Sequence, residues 1–258
     1  MTRIIFRGLG ADPKFIALKD LFLSVFPNLI LIQETMHMHS EAVSYFRKMF
    51  PSWHITTTDS TGLSGGLVAL WDPTWVSVKA LRCFVGILLE GKFRGTPGYI
   101  HILNVYAPYK DRFTFWNQIL SSDIMELASL MIAGDLNCTF SNEVWGCGWK
   151  NYPLACYLQN ALLSYNFVDI CPAKITPTWD NGRSGFAYLA QRLDRFLVHE
   201  KLIERLGLLD SEILSNFTSD HRPITLQWRN AGIRKGFPFK FNRNWLEDPD
   251  FNDLVQES

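Results

Sequence analysis

Short, unbroken apolar runs close one after another on an acid or an amide, and this restricts the chain to folds in which strands deliver side chains to a common edge. The runs at 28–32, 67–71, 99–106, 130–133 and 192–198 are rich in β-branched and aromatic residues and read as strands. Between them, 14–25, 41–49, 113–129 and 155–164 repeat apolar residues at three- and four-residue spacing, which predicts helices. From Trp53 to Leu89 strand candidates follow in succession, punctuated by Gly65, Gly66 and Asp72-Pro73, so hairpins and an antiparallel component are expected. The expected class is mixed α/β: a two-sheet sandwich with helices outside, rather than a doubly wound parallel sheet.

At 258 residues, 47% of them apolar and nine of them Trp, the chain can bury a substantial core as one large domain. No apolar run approaches the roughly 18 residues that a membrane-spanning helix requires, and the start lacks a secretory signal. A soluble, intracellular protein is expected. Cys83, Cys138, Cys147, Cys156 and Cys171 form an odd set without a CxxC pair, against a disulfide framework and a thiolate zinc site. The 25 basic and 25 acidic residues cancel, so any nucleic-acid contact must come from a local patch. After Trp228 the composition turns basic and aromatic without periodicity. This divides the chain into a domain at 1–228 and a linker at 229–258.

Glu34 follows the run LILIQ; Asp135 and Asn137 follow LMIAG; Asp194 lies inside QRLDRFLV; Asp220 and His221 end the polar turn SNFTSDH. Taken singly, each of these acids reads first as part of a solvated loop or a helix cap. As a set on one sheet edge they suit phosphodiester hydrolysis, which needs a hard cation on oxygen ligands, a base or orienter for water, and a donor to the phosphate.

The strings LIQETM, SGGLVALW, NVYAPY, IAGDLNCTF, RLDRFLV and SDHRP, in this order, resemble the endonuclease domain of plant-type LINE (non-LTR) retrotransposons. That domain belongs to the endonuclease/exonuclease/phosphatase superfamily, with the apurinic/apyrimidinic endonucleases. The resemblance covers residues 1 to 228. It implies a four-layer α/β sandwich of two mostly antiparallel sheets and a Mg2+- or Mn2+-dependent endonuclease acting on DNA in the nucleus. No membrane and no obligate protein partner are implied. It further implies that Glu34 binds the metal, with Asp220 near it, and that Asp135 and Asn137 position and deprotonate the attacking water. Tyr106 would contact the scissile phosphate, as would His221 oriented by Asp194, and Tyr109 and Arg7 would contact substrate. A carboxylate beside an imidazole favours its donor form, in keeping with the last pairing.

The sequence departs from the family pattern where Ile5 stands in place of Asn and Tyr109 in place of a second Asn. An aliphatic side chain cannot replace a buried amide's hydrogen bonds, whereas a phenol can still donate to phosphate. Two other readings therefore stay open: a decayed retrotransposon remnant, and a phosphatase acting on a small phosphoester. The chain ends at Ser258 before any reverse transcriptase motif. His37 and His39 read as a solvated loop, and Ser64 to Gly66 as a hairpin turn lacking the Lys-Ser/Thr of a P-loop. The tail's Arg229, Arg234, Lys235, Lys240 and Arg243, interleaved with Phe237, Phe239, Phe241 and Trp245, fit either a nucleic-acid contact or a strap docking on the domain. Trp149 and Trp179 are either core or base-stacking residues.

Overall fold

The computed structural model describes residues 2–7, 12–35, 39–58, 66–140, 143–146, 153–214 and 219–229. Chain order runs β1 Thr2–Arg7, α1 Asp12–Val25, β2 Leu29–Gln33, α2 His39–Met49, β3 His54–Thr58, β4 Leu67–Trp71, β5 Val76–Cys83 and β6 Gly86–Phe93. It continues with β7 Ile100–Tyr106, α3 Arg112–Leu120, β8 Leu130–Asp135, β9 Val144–Gly146, α4 Pro153–Ser164 and β10 Phe167–Asp169. The last elements are β11 Trp179–Asp180, β12 Leu189–Gln191, β13 Asp194–His199, α5 Glu200–Leu206, β14 Leu208–Ile213 and β15 Ile224–Arg229.

Two six-stranded sheets, ordered β14-β15-β1-β2-β4-β3 and β10-β13-β8-β7-β6-β5, carry the architecture. Each is antiparallel except for one parallel pair, β1 with β2 and β7 with β8. Strict alternation along the strands makes the layers. Leu29 and Leu31 of β2, Ile100 and Ile102 of β7, Met131 and Ala133 of β8 and Leu226 of β15 face one another between the sheets. Ile30, Ile32, Val68 and Leu70 point the other way and are covered by Leu18, Leu21 and Phe22 of α1 and Phe46 of α2. Leu103, Val105, Ile132 and Leu197 are covered by Phe115, Trp116 and Ile119 of α3 and Leu158 and Leu162 of α4. The result is the expected four-layer sandwich. Among the described residues no helix is long and apolar enough to cross a membrane.

Two features differ from the sequence expectation. The helix expected over 113–129 stops at Leu120, and a 3-10 turn, Asp123–Glu126, follows. Ser121 and Ser122 turn their hydroxyls onto the carbonyls of Asn117 and Ile119, competing with continuation of the helix. A third sheet, β11-β12-β9, has strands of two or three residues, too short for an apolar alternation to show. His39, expected in a loop, is the first residue of α2, while His37, Trp149 and the tail at 230–258 lie outside the described residues. Cys83, Cys138 and Cys171 are free thiols.

Two guanidiniums are buried at the start of β13, Arg192 just before the strand and Arg195 within it. Arg192 donates to both oxygens of Asp169, at 2.6 and 2.8 Å, and to Glu143 at 2.9 Å. Arg195, fully buried, bonds Asp169 at 2.5 Å and also Glu143, and lies 4.0 Å over the Phe140 ring. Two cations and two anions balance, which is the condition under which buried charge is tolerated. Burial alone raises the Asp169 pKa, but the charges and hydrogen bonds of Arg195 and Arg192 outweigh it and hold the carboxyl below its ordinary value. The stability this adds is therefore complete at pH above about 4 and lost as pH falls through the lower folded value. Replacing Asp169 by Ala leaves two buried guanidiniums to share the Glu143 carboxylate and is expected to cost about 3–5 kcal/mol in urea unfolding at pH 7, a deficit that narrows in acid.

Candidate active site at the rim of the sandwich

The strands that carry the motif residues all reach one rim. β2, β7 and β8 end there, and β13 and β15, antiparallel to their neighbours, begin there. Asp135, last in β8, is in register with Tyr106 of β7 on one side and Asp194 of β13 on the other. These three side chains lie on the rows that bury Met131, Ile102 and Phe196 between the sheets, so they continue the inter-sheet face up to its edge.

The backbone around Asp135 explains the motif. Gly134, before it, has φ 145, and a Cβ there would lie 1.9 Å from the Val105 carbonyl oxygen, so only glycine lets β7 and β8 approach at this level. Asn137, after it, has φ 45, in the left-handed region that Asn tolerates. Its N–H donates to Asp135 Oδ1 at 2.8 Å, closing an Asx turn, and its side-chain amide donates to the Ala107 carbonyl. Arg112, at the start of α3, donates to the Asn137 carbonyl at 2.5 Å and sits 5.9 Å over the exposed Tyr109 ring. Cys138 is buried among these groups and its thiol is pushed up to about 11 by that burial, so it stays protonated.

His221 is 2% exposed, and its Nδ1 meets Asp194 Oδ2 at 2.8 Å. Thr178 holds the backbone that carries that carboxylate, because its hydroxyl accepts the N–H groups of Leu193 at 2.9 Å and Asp194 at 3.1 Å. A single bridge pairs His221 with Trp179, whose indole N–H reaches the exposed Asp220 carboxylate at 3.2 Å. Asp135, Asp194 and His221 offer ligand atoms within 4.8 Å of one another. Across the sandwich, Glu34 follows β2 with φ 50, a conformation that costs a non-glycine residue on the order of 1 kcal/mol or more and concentrates at functional sites. The Tyr106 hydroxyl donates to its carboxylate, joining the two sheets at the rim.

Of the residues expected from the sequence, Asp135, Asn137, Asp194, His221, Tyr106 and Glu34 thus come to one rim in hydrogen-bonded groups. Asp220 stands beside His221 but exposed, its carboxylate accepting from the Trp179 indole N–H and the Ser219 hydroxyl. Tyr109 is 78% exposed on the same side, next to Arg112. Arg7 closes β1 in register with Gln33. A second set with convergent ligand atoms, Glu143, Asp169 and Cys171, has its acids committed to Arg192 and Arg195. Sequence reasoning missed Thr178 and Arg112, whose side chains serve backbone groups; nothing in their spacing signals that.

Solved structures share this fold over most of their length. The endonuclease domain of TRAS1, a telomere-specific non-LTR retrotransposon, superposes with a TM-score of 0.64 at 15% identity, covering 88% of this chain and 97% of that one. The AP endonuclease LMAP from Leishmania major gives 0.68 at 15% identity, covering 89% and 87%. The 3′ phosphatase NExo from Neisseria, bound to a product DNA hairpin, gives 0.63 at 14% identity, covering 89% and 99%. No protein-family model matches the sequence, and no curated protein matches it.

A test of this local geometry is Gly134→Ala. Left-handed strain and overpacking against Val105 together are expected to remove about 3 kcal/mol or more of unfolding free energy, measured by urea denaturation.

Proposed function

We propose that residues 1–228 form a divalent-metal-dependent endonuclease that hydrolyses DNA phosphodiester bonds, with 229–258 as a linker. The observation that carries this reading is the His221–Asp194 pair converging with Asp135 on a rim that also holds Glu34 and Tyr106. Likeness to a non-LTR retrotransposon endonuclease and to a DNA-bound phosphatase supports DNA as the substrate, and a chromosomal DNA target would place the action in the nucleus.

The donor set suits a hard cation. Glu34 and Asp220 are carboxylates on the rim, and hard divalent ions take oxygen ligands. Mg2+ or Mn2+ held there would supply charge neutralisation at the phosphate. The protein's own groups do the rest. Asp135 accepts the proton of the attacking water, which the Asn137 side chain orients. The His221 ring, held at Nδ1 by Asp194, presents Nε2 to a non-bridging phosphate oxygen, where it stabilises the charge that grows as the water oxygen bonds to phosphorus. The Tyr106 hydroxyl sits between the Glu34 carboxylate and the phosphate. The P–O bond to the departing strand breaks opposite the attack, and the departing oxygen takes up a proton from solvent water.

Supercoiled plasmid incubated with Mg2+ is expected to be nicked, with loss of nicking in EDTA and a fall of about 100- to 10,000-fold in Asp135→Ala or His221→Ala. Metal-independent nicking, or full activity in both variants, would contradict the proposal. Ile5 favours a second reading, the decayed copy: it stands in register with Leu31 and Ile224, where the LINE-type pattern carries Asn. Under that reading only the Ile5→Asn revertant cuts.

A further inference from the structure

Directly beneath the Glu34–Tyr106 contact lies a polar pair that the catalytic roles above do not use. Gln33 and Asn104 are both fully buried, on the inter-sheet rows otherwise made of Leu29, Leu31, Ile100 and Ile102. Gln33 Nε2 donates to Asn104 Oδ1 at 2.7 Å, and Asn104 Nδ2 donates to the Val68 carbonyl of β4 at 3.3 Å. A backbone carbonyl only accepts, so the Asn104 amide must turn its NH2 toward Val68 and its oxygen toward Gln33. That in turn fixes which end of Gln33 faces it. Gln33 Oε1 has no hydrogen-bond partner among the described residues, so the bond to Asn104 is what orients this side chain.

Two buried amides in an apolar layer cost stability relative to a matched apolar pair, unless every group is satisfied. Here one is not. Such a pair persists where it fixes geometry, and its position states which geometry. Asn104 is two residues before Tyr106 on the same face of β7, and Gln33 immediately precedes Glu34. The pair ties β7 of one sheet to β2 and β4 of the other, one step below the point where the two sheets contribute Tyr106 and Glu34.

We propose that Asn104 is a positioning residue for the rim: through Gln33 and Val68 it sets the spacing and register of the two sheets, and so holds the Glu34 carboxylate against the Tyr106 hydroxyl. For its effect on cleavage this rests on the endonuclease reading; for its effect on geometry it does not.

The test compares the full chain with Asn104→Leu and with the double variant Gln33→Leu/Asn104→Leu. Asn104→Leu leaves Gln33 wholly unpaired and is expected to unfold at lower urea. The double variant removes both partners and is expected to regain the parent's urea midpoint. Crystal structures of parent and double variant then read the Glu34–Tyr106 contact without reference to activity. The proposal expects that contact to open beyond hydrogen-bond distance in the double variant, with kcat for plasmid nicking lowered up to about 100-fold at unchanged KM. An intact contact in the stable double variant overturns it. A parent that never nicks DNA defeats the endonuclease reading, and the crystallographic comparison still decides the role of Asn104.

Discussion

Parallel pairing of β7 with β8 underlies the whole site, and it depends on the absence of a side chain at Gly134. Parallel strands register residue against residue, so Tyr106 and Asp135 stand side by side at the end of the pair. β13, antiparallel to β8, adds Asp194 to the same row from the other flank. A Cβ at Gly134 would meet the Val105 carbonyl and push the two strands apart where their last residues must cooperate. The glycine of the GDLN string is thus a steric condition for the acid that follows it.

The other sheet reaches the rim from across the core. Between them the apolar inter-sheet layer sets the distance, and near the top it changes character, from Leu31 and Ile102 to Gln33 and Asn104, then to Glu34 and Tyr106. The change from apolar to amide to ionisable side chains runs from the inter-sheet core to the rim. The loop geometry matches it: Glu34 and Asn137 both adopt left-handed backbone conformations, from the two sides of the site. At the start of β13, the Arg192 and Arg195 network braces the strand that carries Asp194.

Much of this was legible in the sequence. The strands at 67–71 and 99–106 and the helices at 14–25 and 155–164 fall within one or two residues of their observed bounds, because unbroken β-branched runs and a three-to-four spacing are strong signals. The helix at 113–129 ran too long because Ile124, Met125 and Leu127 keep an apolar rhythm through a turn that Ser121 and Ser122 enforce. The hairpin of β11 and β12 was invisible, since two- and three-residue strands carry no period. Rim residues were readable wherever an acid or amide ended an apolar run. Thr178 and Asn104 were not, because each is a single polar residue whose purpose is a contact distant in sequence. The two arginines of QRLDRFLV look like surface charge until Glu143 and Asp169 are placed beside them.

The proposed function requires a divalent metal at the rim between the sheets rather than at the Glu143 and Asp169 cluster. Anomalous diffraction from crystals grown with Mn2+ and a short DNA duplex tests it directly. The account predicts a peak in contact with the Glu34 carboxylate, with a phosphate lying between it and His221. A peak at Glu143 and Asp169, or no peak at the rim with DNA bound elsewhere, would contradict it.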